Sequence, residues 1–371
     1  MHKNKNNYTL KKSNTNSKPA IKTHLHTYIP TINKLLVPLK SINRKTIHTK
    51  KCNKNPFALK NNEEFKIEIN GVCYSFFEKQ AINYLLHNLS ANKHVDVNKL
   101  ITPKQYDANC WFNVMFVTFF ISDKGRIFFH FLRQLMITGT QANGDVIHPE
   151  LWKTFSLLNY YIDISAKGDS LAKKINTNSI ILKIYHVIKN LSQNKSHLNS
   201  NNNKIYKKSE PGNPVVYYTT IINFLNNKDI NILKVYCAVN WKQSLETQLY
   251  NYLSITKGVM PHIILLEFSY SVSNNVEKTR GSELFLNNSK YKLDSACVID
   301  VEREHFCSCL TIEGIDYMYD GMSNHRIIKK QWKTLLNSPI EWSFKGSHNY
   351  DGTLKKWSFL NGYHILFYYM V

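Results

Sequence analysis

The stretch QYDANCWFNVMFVTFF, residues 105–120, places a cysteine between an asparagine and a tryptophan, at the start of a long apolar run. The run predicts a helix that begins near Cys110. A free cysteine is most often a small buried hydrophobic residue. At the first turn of a helix it can instead be held as a thiolate, because unpaired N–H groups and the helix dipole stabilise negative charge. The choice between these roles depends on whether the chain supplies a base for the thiol.

The positive charge of the chain is concentrated at its N-terminus. The 371 residues carry a net charge of +22, yet residues 1–60 hold 14 of the 48 Lys and Arg and none of the 26 Asp and Glu. The rest of the chain therefore carries only +8. We expect residues 1–63 to form a basic, low-complexity, mostly disordered tail. Two alternatives stay open for it: a solvated extension without a partner, or weak electrostatic contact with nucleic acid or an anionic surface.

The sequence shows no signal peptide and no transmembrane segment. No apolar h-region follows the charged N-terminus, and the run WFNVMFVTFFI is shorter than the roughly 18 apolar residues that a membrane span needs. Seven cysteines without paired spacing are more typical of a reducing compartment than of a disulfide framework. We therefore expect an intracellular protein that is not secreted, in the host cytoplasm or a virion if the source is a virus.

The hydrophobic pattern divides the chain into a helix-rich part and a strand-rich part. Residues 64–99 predict a hairpin at an Asn-Gly pair and a helix that leads into the main domain, residues 100–371. Helical spacing continues as far as a helix near Pro214, interrupted by a polar loop at residues 192–213. From about residue 229 the pattern is typical of strands. The expected fold class is α+β.

Two residues of the strand-rich part could act on the Cys110 thiol. His305 begins the apparent strand HFCSCLTI, and Asp320 ends the next one, IDYMYD. A hairpin of these strands would place them side by side, as an imidazole–carboxylate pair requires. Gln105, five residues before Cys110, can donate an amide N–H to an oxyanion, together with the backbone N–H of Cys110. These are the four parts of a thiol protease site.

A metal site is an alternative use of the same strand. His305, Cys307 and Cys309 would share one face of it, and these side chains ligate zinc. A fourth soft ligand is not evident in the sequence, so we favour buried structural roles for the two cysteines. We expect neither a metal nor another cofactor.

These motifs resemble those of the ubiquitin-specific proteases, the papain-like cysteine peptidases that remove ubiquitin. DANCWFN is similar to the Cys box of that family, G-N-T-C-Y-x-N. EHFCSCL followed by MYDGMS is similar to its His box, G-H-Y with a later aromatic-Asp pair. PHIILLEFSYS and the C-terminal GYHILFYYMV resemble two of its strands. The similarity spans residues 100–371 in the same order throughout.

The resemblance implies a papain-like fold, in which a helical lobe and an antiparallel sheet lobe enclose the active site. It implies Cys110 as the nucleophile, His305 as general base and then acid, Asp320 as the residue that orients His305, and Gln105 as an oxyanion donor. The implied partners are conjugates of ubiquitin or a ubiquitin-like modifier, cleaved at the amide or isopeptide bond after the modifier's C-terminus.

Two other functions stay open beside this one. Glu304 stands where the family has a Gly before the His, and Gly321 stands where a second Asp is common. A catalytically inactive relative that still binds ubiquitin would keep the fold. A viral protease that cuts a polyprotein is the other alternative, because abundant Asn and Lys are typical of AT-rich genomes and the domain is short and divergent, as in large DNA viruses.

Overall fold

The computed structural model describes residues 45–48, 52, 56, 63–91, 94–141, 143–192, 205, 206, 210–225, 231–269 and 280–371. The tail up to residue 44 and most of the expected polar loop at 192–213 therefore lie outside the described residues. The prediction of a disordered tail concerns residues that the structure does not describe.

The described residues form eight α-helices and ten β-strands. The helices are α1 (Lys79–Ser90), α2 (Cys110–Phe120), α3 (Asp123–Phe128), α4 (His130–Thr138), α5 (Pro149–Lys167), α6 (Asn178–Ser192), α7 (Pro214–Phe224) and α8 (Trp241–Ile255). The strands are β1 (Lys66–Ile69), β2 (Val72–Ser75), β3 (Ile232–Cys237), β4 (Ile263–Phe268), β5 (Glu283–Leu286), β6 (Ser289–Ile299), β7 (Phe306–Ile312), β8 (Ile315–Tyr319), β9 (Ile327–Lys329) and β10 (His364–Met370). The predicted α+β class is confirmed.

The predicted hairpin is formed by β1 and β2. Its tip residues Asn70 and Gly71 have φ angles of 51° and 83°, and two positive φ angles are what a type I′ turn requires. The Asn-Gly pair thus fixes both the position and the register of the hairpin, with Ile69 opposite Val72.

Part of the segment expected to be tail packs on this hairpin. Ile47 is buried, His48 bridges Glu68, and Cys52 forms a disulfide with Cys73. The expected absence of disulfides is wrong for this pair. The two cysteines are 21 residues apart and their Cα atoms are brought to 5.7 Å only by the fold, so local spacing gave no sign of the bond.

The other eight strands form one sheet, in the order β3-β4-β10-β6-β7-β8-β9, with β5 paired to β6. All its pairs are antiparallel except β3 with β4. The expectation of an antiparallel sheet is therefore wrong at this edge. The reason is α8, a helix that the strand-like pattern after residue 229 did not predict. It carries the chain back across the sheet, and such a crossover is what parallel neighbours need.

The helix that opens with Cys110 lies at the centre of the helical layer. All 11 residues of α2 are buried, as is typical of a core helix that is apolar on every side. Phe116 packs against Tyr161 of α5, and Phe119 against Phe367 of β10, with ring centroids 4.8 and 5.7 Å apart. Among the described residues, none of the helices combines the length and apolar character needed to cross a membrane.

The large sheet separates two apolar cores. One lies between the sheet and the layer of helices around α2. The other lies on the opposite face, beneath α8 and the β9–β10 connection, residues 330–363, which contributes the buried Trp332, Trp342 and Trp357. The site residues lie where these layers meet, at the start of α2 and at the adjoining ends of β7 and β8.

Candidate active site

The structure brings His305 and Asp320 together where β7 begins and β8 ends. The two strands pair antiparallel, with Ser308 opposite Tyr319. His305 Nε2 lies 2.6 Å from Asp320 Oδ1, and the side chains are 2% and 0% exposed. A hydrogen bond between such buried, oppositely charged groups is strong and fixes the plane of the imidazole ring.

Cys110 lies against the same imidazole. Cys110 is the first residue of α2, is 8% exposed, and lies close enough to His305 for its side chain to raise the pKa of the imidazole. His305 Nε2 is bonded to Asp320, while the other ring nitrogen, Nδ1, is buried and makes no hydrogen bond among the described residues. Nδ1 is therefore the ring nitrogen that remains available to the Cys110 thiol.

The charge of His305 results from opposing effects. Burial favours the neutral imidazole and lowers the pKa of His305, whereas hydrogen bonds to Asp320 and Cys110 and the negative charges of both raise it. The pKa rises from the ordinary 6.5 to about 10. The rise favours the imidazolium form of the ring, and such a cation next to a cysteine favours the thiolate.

The loop before Cys110 is fastened to the end of β8. Tyr319 Oη donates a hydrogen bond of 2.8 Å to the Pro103 carbonyl, and the Gln105 N–H donates one of 3.0 Å to the Gly321 carbonyl. These bonds hold the start of α2 against the strand that carries the triad carboxylate.

Gly321, which replaces a common Asp of the resembled family, allows this close approach. A Cβ atom at this position would lie 3.0 Å from Tyr319 Oη and 3.2 Å from both Gln105 N and Gln105 Cβ. A side chain would push the loop away from β8, so the glycine fits the geometry of this chain.

Gln105, the predicted oxyanion donor, lies in the same loop. Its Nε2 donates to the Asp107 carbonyl at 3.1 Å, while its Oε1 is buried without a hydrogen-bond partner. A side-chain amide carries two N–H groups, so one remains to be donated to a substrate. The part that Gln105 plays in the reaction stays a prediction.

The two asparagines that flank Cys110 belong to a buried polar network. Asn109 Nδ2 donates to Thr177 Oγ1, and this hydroxyl donates to Asn113 Oδ1, both at 2.8 Å. The Tyr106 N–H donates to Asn109 Oδ1 at 3.0 Å. The network ties the loop and the first turn of α2 to the start of α6. In the sequence, Asn113 was noted as the last residue of the Cys box DANCWFN, whereas no role was predicted for Asn109.

The turn between β6 and β7 fixes the backbone of His305. Asp300 Oδ1 accepts from the N–H groups of Glu304 and His305, at 2.7 and 2.8 Å, and Asp300 Oδ2 pairs with Lys355 Nζ at 3.0 Å. The Glu304 carboxylate binds the same ammonium group at 3.1 Å. Trp357 Nε1 donates to the His305 carbonyl at 3.2 Å. Lys355 and Trp357 were not found from the sequence.

Cys307 and Cys309 lie on the sheet face that points away from α2. Both are fully buried, and burial raises the pKa of Cys307 well above its usual value. Because neighbouring side chains of a strand point to opposite faces, Phe306 and Leu310 instead face the helical layer. In the part of the chain that the structure describes, no three His, Cys, Asp or Glu side chains gather as metal ligands. The alternative of a metal site on this strand is not supported.

No protein-family profile and no curated protein sequence matches this chain. Among solved structures, an essential yeast splicing factor is similar with 13% identity and a TM-score of 0.42, over 83% of each chain. The SAGA DUB module with Ubp8 is similar in two structures, bound to monoubiquitin and to ubiquitin aldehyde. Each has 9% identity and a TM-score of 0.42, over 81% of this chain and 79% of that one. Likenesses this low carry no weight in the argument on function.

Proposed function

We propose that the chain is a thiol-dependent hydrolase of amide or isopeptide bonds. One observation carries the proposal: His305 is bonded to Asp320 through Nε2, its Nδ1 makes no hydrogen bond among the described residues, and Cys110 lies close enough to raise the pKa of the imidazole. A nucleophile, a base and a residue that orients the base are the parts that covalent catalysis by a thiol requires.

The reaction follows from this arrangement. The Cys110 thiolate attacks the carbonyl carbon, and the oxygen of the tetrahedral intermediate takes the negative charge. The Cys110 N–H and Gln105 Nε2 donate hydrogen bonds to that oxygen. His305 gives its proton to the leaving amine, so the C–N bond breaks and a thioester remains. His305 then takes a proton from water, and the hydroxide attacks the thioester and releases the acid and the thiolate.

We favour ubiquitin or a ubiquitin-like modifier, linked to lysine, as the substrate. The support comes from the Cys box and the His box, which resemble those of the ubiquitin-specific proteases in residue type and order. The bond of His305 to Asp320, with Cys110 near enough to raise the pKa of the imidazole, favours an active enzyme over an inactive relative that only binds ubiquitin. A papain-like division into two lobes belongs to the same proposal.

A ubiquitin whose C-terminus carries a thiol-reactive electrophile tests the proposal. We expect the wild type to gain the mass of one probe, and the Cys110→Ala variant to gain none. Cys237→Ala is the matched control, because burial raises the pKa of Cys237 to about 12, and it should react like the wild type. No adduct with a folded wild type would exclude ubiquitin as the substrate. An adduct that forms in the Cys110→Ala variant would exclude Cys110 as the nucleophile.

A further inference from the structure

The β9–β10 connection also donates a hydrogen bond to the Asp320 carboxylate, besides His305 and the Met322 backbone. Ser347 Oγ donates a hydrogen bond to Asp320 Oδ2. The other oxygen, Oδ1, receives His305 Nε2 at 2.6 Å and the Met322 N–H at 2.9 Å. Ser347 and Asp320 are each 0% exposed. The hydroxyl is therefore the only side-chain donor among the described hydrogen bonds to Oδ2.

The position of Ser347 is fixed by its own backbone. Its N–H donates to the Phe344 carbonyl at 3.2 Å, and its carbonyl accepts from the Lys355 N–H at 3.0 Å. Two hydrogen bonds of 2.9 and 3.0 Å between Trp342 and Trp357 close the loop at its base. The hydroxyl thus reaches Asp320 from a closed loop with little freedom to move.

The same loop also holds the other member of the pair. Lys355 secures the turn before His305 through Asp300, and the Trp357 ring packs against the imidazole with centroids 5.9 Å apart. One segment of the chain therefore contacts both the imidazole and the carboxylate.

We propose that Ser347 is a positioning residue that acts on His305 through Asp320; this inference rests on the proposed function. A hydrogen-bond donor favours the charged form of a carboxylate and prevents its rotation away from the imidazole. The charged, fixed carboxylate stabilises the His305 imidazolium, and the imidazolium stabilises the thiolate. Without the hydroxyl, a buried oxygen of Asp320 loses its donor and the ion pair of His305 and Cys110 is less populated.

The test is the pH dependence of Cys110 alkylation by iodoacetamide, followed by mass spectrometry of peptides. For Ser347→Ala we expect the pH midpoint of Cys110 alkylation to rise by about one unit and the alkylation rate at pH 6 to fall roughly tenfold. This size is typical of a lost hydrogen bond to a charged group. Ser347→Thr keeps the hydroxyl and should restore the wild-type midpoint.

Ser358→Ala is the matched control. Ser358 is also 0% exposed, and its Oγ accepts hydrogen bonds from the backbone N–H groups of Leu360 and Asn361, not from His305 or Asp320. This variant should lose stability and keep the wild-type midpoint. If the alanine variant of Ser347 does not fold, Ser347→Cys keeps the volume with a weaker donor, and an upward shift of smaller size is expected.

The outcomes separate the inference from the function on which it rests. A wild-type midpoint in a folded Ser347→Ala or Ser347→Cys variant would overturn the inference and leave the hydrolase intact. An equal shift in Ser358→Ala would overturn it as well, because loosening of the fold would then explain both. A wild-type Cys110 no more reactive than a free thiol would overturn the proposed function, and the inference with it.

Discussion

His305 is bonded to Asp320, and its raised pKa makes the stability of the fold depend on pH. The pKa is 6.5 in the unfolded chain and about 10 in the fold, so the stability gained from its charge is complete below pH 6.5 and is lost as the pH rises through 10. The His305→Gln variant lacks this gain. We expect the loss of unfolding free energy on substitution to be larger at pH 6 than at pH 9.5, as measured by urea denaturation. A loss that grows with pH would contradict the assignment of charge.

Gln105 is predicted to act only in the transition state. Losing one oxyanion donor typically raises the barrier by about 2.7–4 kcal/mol, so Gln105→Ala should slow turnover of a ubiquitin amide substrate by roughly a hundredfold or more. Alkylation of Cys110 should not change. The control variant is Gln248→Ala. Gln248 lies on α8, away from the site, and its side chain bonds the backbone of Tyr236 in β3. Full turnover by Gln105→Ala would remove this residue from the mechanism.

The residues of the site differ in how far the sequence could predict them. Cys110, His305 and Asp320 each adjoin an element with a clear periodic pattern, so their positions followed from the elements. Ser347 and Lys355 lie in a connection without such a pattern, and they reach the site only because the connection folds back over β7 and β8. No local signal could have assigned them.

At the scale of elements, the turn between β6 and β7 depends on a buried ion pair. Lys355 is 5% and Asp300 0% exposed. Removing one partner of such a pair leaves a buried charge uncompensated, at a cost of about 3–5 kcal/mol. The neighbouring Lys356 is 63% exposed and pairs with Glu341 at the surface, and such pairs contribute less than about 1 kcal/mol.

Lys355→Met and Lys356→Met therefore form a matched comparison of adjacent residues. We expect urea denaturation to show a large loss of unfolding free energy for the first and little change for the second. Equal losses would mean that the buried pair does not hold the turn.

Hydrophobic periodicity predicted some helices and strands and missed others. The Asn-Gly turn and strand-like alternation predicted the β1–β2 hairpin and the pairing of β7 with β8. Helix α8 has only three buried residues, Trp241, Leu245 and Leu249, so its apolar stripe is too narrow to stand out among strands. Strands β5 and β9, with four and three residues, are too short for a period to be recognised.

At the scale of the whole molecule, the Cys52–Cys73 disulfide joins the start of the described chain to the hairpin. A bond that closes a loop of this length contributes about 3 kcal/mol in the loop-entropy account. We expect Cys73→Ser to lower the free energy of unfolding by roughly that amount in a non-reducing buffer. With dithiothreitol the two proteins should be equally stable. Equal stability in both buffers would show that the bond does not constrain the fold.

The disulfide also bears on the expected compartment. Structural disulfides are typical of oxidising environments, which is at odds with the expected reducing compartment. The proposed reaction, in contrast, needs Cys110 as a free thiol. The order of elements and the α+β class could be predicted from local patterns. The parallel β3–β4 edge and the disulfide could not, because each depends on contacts between distant parts of the chain. A viral source stays a prediction.

The most direct test of the account is alkylation by iodoacetamide at pH 6, with every cysteine followed by mass spectrometry. Five cysteines are free and all are buried, and burial raises the pKa of Cys237 and Cys297 to about 12. We expect Cys110 alone to react in the folded wild type, and to become inert in His305→Gln. A Cys110 that is inert in the wild type, or equally reactive without His305, would contradict the thiolate–imidazolium pair on which the proposed function rests.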